Sequence, residues 1–218
     1  MYYIIGDIHG YFDRLVALYN KIANRFSEGD TLIFLGDYID RGAHSYEVID
    51  FLVLCSRGRS VSTVFIKGNH EDMLMRYCNG EDEAGSFIMN GGDATITSYI
   101  AHRGEFSLPQ HHQEFMSGLR SYYEGDDFIA VHAGLDPAAG ALADQDEYDL
   151  FWIREKFFRA KKRWDKTIIF GHTPAAYIER GSSIYIDEER NIIGIDSGVI
   201  FGKPLTCLVW PEKKIITA

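Results

Sequence analysis

Six apolar segments of this sequence end in the same way, with an aspartate, asparagine or histidine beside a glycine. The sequences at these six ends are GDIHG at 6–10, GDYIDRG at 36–42, GNHE at 68–71, HAG at 132–134, GHT at 171–173 and DSG at 196–198. In open α/β sheets, ligands bind outside the carboxyl ends of the strands. Flanking glycines allow tight turns in which the backbone comes close to a bound group. We therefore expect side chains that are far apart in the sequence to meet in one place.

The first third of the chain alternates short apolar runs with helical patterns. Runs at 2–5, 31–35 and 61–66 predict strands, and apolar residues at helical spacing predict helices at 12–26, 46–55 and 71–77. This β-α-β-α-β-α order is typical of a largely parallel, buried sheet with helices packed on it.

The second half of the chain is rich in strands. Residues 79–127 are more polar, with helical patches, and we predict that they shape substrate entry. Six further strands are predicted, at 128–131, 167–170, 183–186, 192–195, 206–210 and 214–216. They favour a second sheet packed on the first. Because the sequence has no repeat and no proline- or serine-rich linker, we expect residues 1–218 to form a single domain.

Charge and composition limit the classes of partner and the cellular compartment that we expect for this chain. The chain has 22 basic and 32 acidic residues, a net charge of −10, and this disfavours nucleic acid as a partner. Three cysteines without motif spacing indicate buried free thiols in a reducing compartment. No basic, apolar leader and no apolar run of about 18 residues is present, so we expect a cytoplasmic protein without membrane contact.

The polar residues at the strand ends are of metal-binding types. Carboxylate, amide oxygen and imidazole are ligands for Mn²⁺, Fe²⁺ and Zn²⁺. Four of the eight histidines lie at these ends. Taken singly, Asp7 could cap a helix, Asn69 could be a turn residue, and His132 could be a hydrogen-bonded core histidine. Their joint occurrence, in order and at strand ends, favours a metal site.

The motifs at 6–10, 36–42 and 68–71 resemble the three signatures of the PPP-type metallophosphatases, in the calcineurin-like phosphoesterase superfamily. HAG and GHT continue the family order, and the resemblance covers residues 4–198. It is strongest to the small bacterial and phage branch, which includes lambda phosphatase. The resemblance implies a four-layer α-β-β-α sandwich of two mixed sheets, with a dinuclear metal centre between them.

Carried over residue by residue, the resemblance implies two metal sites that share one ligand. The first would comprise Asp7, His9 and Asp37, and the second Asp37, Asn69, His132 and His172. Two such divalent ions, with Mn²⁺ expected and Fe or Zn as alternatives, would bind a shared hydroxide that attacks phosphorus in line.

The resemblance also implies four catalytic residues. His70 would be the general acid, and Asp40 would orient it and favour its charged form. Arg41 would bind phosphate oxygens with its planar guanidinium. Arg154, in the segment 151–154, would be a second phosphate-binding arginine; the alternative is a surface salt bridge on a helix.

The family contains more than one activity. The intact Asp40-Arg41 pair and GNHE favour a protein phosphatase acting on phosphoserine and phosphothreonine in a phosphorylated protein, with phosphotyrosine as a further candidate substrate. The alternative is a symmetrical bis(5'-nucleosyl)-tetraphosphatase, a small-phosphoester hydrolase. It resembles this chain in HAG and in the tail at 201–210, but it typically has alanine at position 40 and aspartate at position 71. A third interpretation is a metal-binding scaffold without turnover.

Other polar residues receive structural interpretations. We expect Glu71 to support its neighbours or the start of its helix, and Asp196 to position neighbours rather than to bind metal. Asn90 to Asp93 predict a turn before a helix, with a substrate contact as the alternative. The remaining histidines match no motif, and we expect them to be exposed polar residues: His44, His102, His111 and His112.

Overall fold

The fold is built on ten strands. The computed structural model describes residues 1–58, 61–82 and 85–218. The strands are β1 (Tyr2–Ile5), β2 (Thr31–Phe34), β3 (Ser62–Phe65), β4 (Tyr122–Glu124), β5 (Phe128–Val131), β6 (Thr167–Phe170), β7 (Tyr185–Asp187), β8 (Ile192–Gly194), β9 (Thr206–Trp210) and β10 (Lys214–Thr217). They form two five-stranded sheets, in the orders β10-β9-β1-β2-β3 and β4-β5-β6-β8-β7.

The first sheet is mixed. Strands β1, β2 and β3 are parallel, as the alternating pattern predicts, and β9 pairs antiparallel with the other side of β1. The sequence analysis assigned the strands near the C-terminus to a second sheet, and for β9 and β10 this is wrong. All five residues of β9 are buried because apolar layers cover both of its faces, which suits a strand inside the first sheet.

The second sheet has three parallel strands in its centre and an antiparallel strand at each edge. Strands β5, β6 and β8 are parallel, while β4 and β7 pair antiparallel with β5 and β8. Sequence reasoning missed β4, a three-residue strand inside the polar segment 79–127, because three residues carry too little periodicity to identify a strand.

Side-chain alternation along the strands creates the layers. From β1, Ile4 points into the core between the sheets, while Tyr3 and Ile5 face the helices of the first sheet. From β6, Ile169 points between the sheets, and Ile168 faces the helices of the second. The prediction of a four-layer α-β-β-α sandwich of two mixed sheets is confirmed.

Helices cover both outer faces. They are α1 (Phe12–Ala23), α2 (Ser45–Arg57), α3 (Asn69–Cys78), α4 (Asp93–Arg103), α5 (Gln110–Ser117), α6 (Glu147–Trp152), α7 (Glu155–Phe158) and α8 (Ala175–Ile178). The first three match the predicted helices to within three residues at each end. Residues of α1, α2 and α3 pack on the first sheet, and residues of α6 and α7 pack on the second.

Two smaller findings concern the thiols and the helix lengths. All three cysteines are free, as expected, but only Cys207 is buried: Cys55 is half-buried, and Cys78, the last residue of α3, is exposed. Across the described residues, every helix is too short or too polar to cross a membrane.

Candidate active site

The polar residues at the ends of six strands meet at one edge of the two sheets. Each is buried although each carries a polar or charged side chain, which requires partners in the protein or a bound ion. The six residues, in chain order, are Asp7, Asp37, Asn69, His132, His172 and Asp196.

Three close approaches define the centre of this cluster. His132 Nε2 lies 3.0 Å from Asn69 Oδ1 and 3.3 Å from Asp37 Oδ1. On the other side of the same carboxylate, His9 Nε2 lies 3.5 Å from Asp37 Oδ2. Asp37 therefore stands between the two histidines, as expected for a carboxylate shared by two ions.

The hydrogen bonds of the two imidazoles show which of their nitrogens are free. His132 Nδ1 donates to the carbonyl of Leu35 at 2.8 Å, and His9 Nδ1 donates to the carbonyl of Ile39 at 3.1 Å. Since a carbonyl only accepts, both Nε2 atoms present lone pairs to the oxygen atoms of Asp37 and Asn69. Lone pairs at this separation repel one another unless a cation lies between them.

His172 supplies a further free donor atom. Its side chain is buried, and its Nε2 has no hydrogen-bond partner among the described residues. An unpaired buried nitrogen is costly, and a metal ion would satisfy it. The residues present therefore fit a divalent metal centre.

Electrostatics favour the same interpretation. Burial raises the pKa of Asp7 and of Asp37 well above their ordinary values, and the neighbouring Asp196 and Glu71 carboxyl groups add to the effect. Burial also lowers the pKa of His132 to about 3, so its imidazole is neutral and able to bind metal. Cations would offset the repulsion among these carboxylates.

The donor atoms fall into two groups that share Asp37. One group joins His9, Asp37 and His70, and the other joins Asp37, His132 and His172. Asp7, predicted with the first ion, belongs to neither group, and its two oxygens accept from the backbone N–H of His172 at 3.1 and 2.9 Å. The division of ligands between two ions stays a prediction.

Two glycines allow this close packing. A Cβ atom at Gly171 would collide with the carboxylate of Asp7, and one at Gly68 would collide with that of Asp37. The glycines of GHT and GNHE are therefore required by the approach of a carboxylate to the backbone, rather than by turn geometry alone.

Strained backbone is concentrated at the site. Seven non-glycine residues among those described have a positive φ, and five of them are predicted site residues. Such conformations cost roughly 1–3 kcal/mol each and persist only where the surroundings enforce them. The five residues are His9, Asp37, Asp40, Arg41 and His172.

Glu71 holds the central loops in place. Its side chain is fully buried, and its carboxylate accepts from the backbone N–H groups of Asp37 at 2.9 Å, Tyr38 at 2.8 Å and Gly68 at 3.0 Å. It thereby joins the loop after β2 to the start of α3. The structure thus gives Glu71 the supporting position that the sequence analysis expected.

A buried chain of hydrogen bonds orients His70. His70 Nδ1 lies 2.6 Å from Asp40 Oδ2, and the other oxygen of Asp40 accepts from the Thr95 hydroxyl at 2.6 Å. The Asp40 backbone N–H donates to the hydroxyl groups of Thr95 at 3.0 Å and Ser45 at 3.1 Å. Sequence reasoning missed Thr95 and Ser45, because neither lies in a motif.

Burial favours the neutral form of both members of the Asp40–His70 pair. Burial raises the pKa of Asp40 to about 7, and burial together with Arg41 and Arg154 lowers the pKa of His70 to about 3. His70 Nε2 accepts from the Arg41 guanidinium at 3.3 Å. Both shifts favour the neutral forms of the pair in the metal-free protein, and the charged form of His70 expected from its pairing with Asp40 stays a prediction.

Two arginines face one cavity beside the metal ligands. The cavity has a volume of about 400 Å³, and both Arg41 and Arg154 line it together with His70. Arg154 lies between α6 and α7, where its Nη1 donates to the Thr173 hydroxyl at 3.0 Å. Its Nη1 also donates to the carbonyl of His172 at 3.3 Å, and the phosphate-binding role of Arg154 stays a prediction.

The segment after α3 positions Arg41. The Arg41 backbone N–H donates to the carbonyl of Gly91 at 3.1 Å, and its Nε donates to the carbonyl of Asn90 at 3.3 Å. Asn90 itself lines the cavity. The predicted turn before a helix is present: the backbone kinks at Gly91, which has a φ of 97°, and α4 begins at Asp93.

Aromatic residues form the rim of the cavity, and sequence reasoning missed them. Tyr177 is 70% exposed and Phe201 58% exposed, with ring centroids 6.1 Å apart. Trp152 and Phe158 also line the cavity. Trp152 lies in the segment 151–154 and Phe201 begins the tail 201–210, but neither segment indicates a cavity, and only the fold brings these rings together.

The remaining expectations have mixed outcomes. Asp196 lines the cavity, and its Oδ1 accepts from the backbone N–H of Gly198 at 2.8 Å, which suits a positioning residue. Of the four histidines expected to be exposed, His44 and His102 are exposed, His111 is half-buried and His112 is fully buried. It is covered because α5 packs against α2 and α4, a contact that the sequence does not reveal.

Comparison with known proteins identifies one family. Residues 2–198 match the family described as calcineurin-like phosphoesterase. This range includes every residue of the predicted site.

Curated relatives match over almost the entire chain. A Bacillus velezensis protein named asymmetrical bis(5'-nucleosyl)-tetraphosphatase PrpE is 27% identical, over 99% of this chain and 91% of the relative. A protein of the same name from Halalkalibacterium halodurans is 26% identical, over 98% of this chain and 92% of the relative.

Solved structures share the fold. A crystal structure provisionally assigned as a diadenosine tetraphosphatase has a TM-score of 0.74 and 23% identity, covering 100% of this chain and 92% of that one. A serine/threonine phosphatase from Saccharomyces cerevisiae has a TM-score of 0.61 and 17% identity, covering 100% of this chain and 78% of that one.

The relatives contradict the expectation of a protein phosphatase. That expectation rested on Asp40 and Glu71, whereas the curated relatives are named as nucleotide hydrolases. The structure gives the physical reason: Asp40 orients His70, and Glu71 holds the loops together. Both residues serve any phosphate ester equally, so neither distinguishes a phosphoprotein from a dinucleotide.

We expect Glu71→Gln to weaken both the fold and metal binding. The amide group would place a donor against one of three backbone donors, and the unpaired N–H should cost about 1–3 kcal/mol in free energy of unfolding. Because the loop that carries Asp37 loosens, metal affinity should fall about 10- to 100-fold. Urea unfolding of metal-free protein and metal titration measure the two effects.

The neighbouring Asp72→Asn is the matched control. Asp72 lies on the same helix, and its one ion pair among the described residues is with Lys67, at 3.6 Å near the surface. Equal losses in the two variants would contradict the role assigned to Glu71.

Proposed function

The chain belongs to the calcineurin-like phosphoesterase family, and from this premise we propose that it hydrolyses bis(5'-nucleosyl) tetraphosphates. Membership makes it a metal-dependent phosphoester hydrolase. The names of the relatives that match nearly the whole chain support the dinucleotide substrate.

The observation that carries the proposal is the composition of the cavity wall. Four of the buried metal ligands proposed here, the guanidinium groups of Arg41 and Arg154, and the exposed rings of Tyr177 and Phe201 all line this one cavity. One guanidinium group can donate two parallel hydrogen bonds to phosphate oxygens, and aromatic rings stack on nucleobases. A nucleoside polyphosphate presents both chemical surfaces, the phosphate chain inside and the base at the rim.

Two divalent ions would be held at the strand ends. Their chemistry is to polarise phosphoryl oxygens and to make a water molecule acidic near neutral pH. The mixed oxygen and imidazole donor set suits Mn²⁺, Fe²⁺ or Zn²⁺, and Mn²⁺ is our choice for a first assay. The proposed ligands are Asp7, His9, Asp37, Asn69, His132 and His172.

His70 is proposed to donate a proton to the leaving oxygen. Its Nε2 faces Arg41, and its Nδ1 is fixed by Asp40. A bound phosphate would attract the Arg41 guanidinium and leave Nε2 next to negative charge, which favours the protonated imidazole. The cavity thereby supplies a proton donor only when an anion is present.

The position of cleavage is proposed to be asymmetrical. Both relatives carry this word in their names, whereas our sequence-based alternative was the symmetrical activity. Asymmetrical cleavage of a dinucleoside tetraphosphate yields a nucleoside triphosphate and a nucleoside monophosphate, and symmetrical cleavage yields two diphosphates.

Product analysis tests the function. With Mn²⁺, we expect diadenosine tetraphosphate to be cleaved with a higher kcat/KM than a phosphoserine peptide or a phosphotyrosine peptide, and to give ATP and AMP. Chromatography of the nucleotides measures both rate and products. Two equivalents of ADP would overturn the asymmetrical assignment alone, and faster cleavage of either peptide would overturn the dinucleotide substrate.

His70→Asn tests the proton donor. Metal content should be unchanged, while turnover of an alkyl phosphate should fall by about 10²–10⁴ because an alkoxide leaves poorly without protonation. The loss should be smaller for p-nitrophenyl phosphate and for the dinucleotide, whose leaving groups are weaker bases. An equal loss on all three substrates would rule out this role for His70.

Tyr177→Ala tests the aromatic rim. Tyr177 is exposed, so the fold should tolerate the change. Loss of one stacking surface, worth about 1–3 kcal/mol, should raise KM for the dinucleotide about 5- to 100-fold and leave kinetics on p-nitrophenyl phosphate unchanged. Tyr177→Phe keeps the ring and is the matched control. A rim without a role in base binding would give the same KM in both variants.

A further inference from the structure

Outside the active site, three side chains of types that can bind metal meet between α2 and α5. Asp50 lies on α2, and His111 and His112 are successive residues of α5. Their donor atoms all lie within 4.8 Å of one another. The sequence analysis assigned no ligand role to these histidines.

The distances within this cluster fit a coordination sphere. Asp50 Oδ1 lies 3.3 Å from His111 Nε2 and 3.5 Å from His112 Nε2. Ligands at about 2.0–2.1 Å from a tetrahedral zinc ion are themselves about 3.3 Å apart. The same spacing is long for a charged hydrogen bond, which is about 2.7–2.9 Å.

His112 supplies an independent reason to expect an ion. Its side chain is fully buried, yet its Nε2, directed toward Asp50, has no hydrogen-bond partner within the described ranges. Its Nδ1 lies 2.8 Å from the hydroxyl of Tyr99, which fixes the orientation of the ring. Metal-binding histidines usually have a partner of this kind on their second nitrogen.

We propose that Asp50, His111 and His112 form a second, separate metal site that takes one zinc-like divalent ion. Two imidazoles and one carboxylate suit Zn²⁺, Co²⁺, Ni²⁺ or Cu²⁺ better than Mg²⁺ or Ca²⁺. Asp50 and His111 are 49% and 37% exposed at their side chains, so the ion enters from solvent and keeps at least one water ligand. None of the three residues belongs to the site proposed above.

The ion would join α2 to α5 behind the active site. Tyr99, which orients His112, lies on α4 one turn after Thr95, the residue that binds Asp40. The hydroxyl of Ser45, the first residue of α2, accepts from the backbone N–H of the same aspartate. The site therefore stabilises the helices that support the Asp40–His70 pair without contacting substrate.

Zinc content tests the proposal. After incubation with Zn²⁺ and gel filtration, elemental analysis should find one equivalent more in the wild-type protein than in His111→Ala or in Asp50→Asn. The zinc-induced rise in melting temperature should be smaller in both variants. Both replaced side chains are partly exposed, so the variants should fold, and equal melting temperatures of the metal-free proteins verify this.

His44→Ala is the matched control. His44 is an exposed histidine just before α2 that pairs with Glu47, outside the proposed donor group, and its loss should leave zinc content unchanged. Equal zinc content in the wild-type protein, His111→Ala and Asp50→Asn would overturn the proposal. Because the measurement is binding, its outcome is independent of which phosphoester the enzyme cleaves.

Discussion

The Glu71 carboxylate is the interaction on which the active site depends. It lies at the start of α3 and binds three backbone N–H groups, two from the loop after β2 and one from Gly68 before α3. One buried side chain thus fixes Asp37 and the residues at the start of α3 relative to each other. The left-handed backbone at Asp37 persists because these bonds outweigh its strain. Rigid support of this kind keeps the metal ligands in place before any ion binds.

Much of the fold could be predicted because its signals are local. Buried parallel strands read as short apolar runs, and the helices between them show a 3.6-residue period. The pairing partner of a strand could not be predicted in this way, because the apolar sequence of β9 would suit a strand of either sheet. Its place beside β1 depends on contacts across almost the full length of the chain. The three-residue β4 exists only because β5 offers it an edge.

Prediction of the site succeeded where the chemistry lies in motifs and failed where it depends on packing. Asp37 and His132 could be found because each lies within three residues of the end of a strand. Thr95 and Tyr177 could not, since a hydroxyl on a helix and an exposed ring have no distinguishing sequence context. The prediction of the substrate class was wrong for a related reason. Asp40 and Glu71 carry the resemblance to protein phosphatases, yet they act on His70 and on the backbone, whereas discrimination between substrates requires groups at the rim.

The buried acids explain why metal, strain and catalysis must occur together. The carboxylates of Asp7, Asp37 and Asp196 are buried near one another, and burial raises the pKa of each. In a chain of net charge −10, such a cluster is unfavourable until cations compensate it. Ion binding then favours the ionised carboxylates and the strained loops in one step, because the same side chains supply both. The proposed metal ions would therefore stabilise this edge of the fold as well as supply its chemistry.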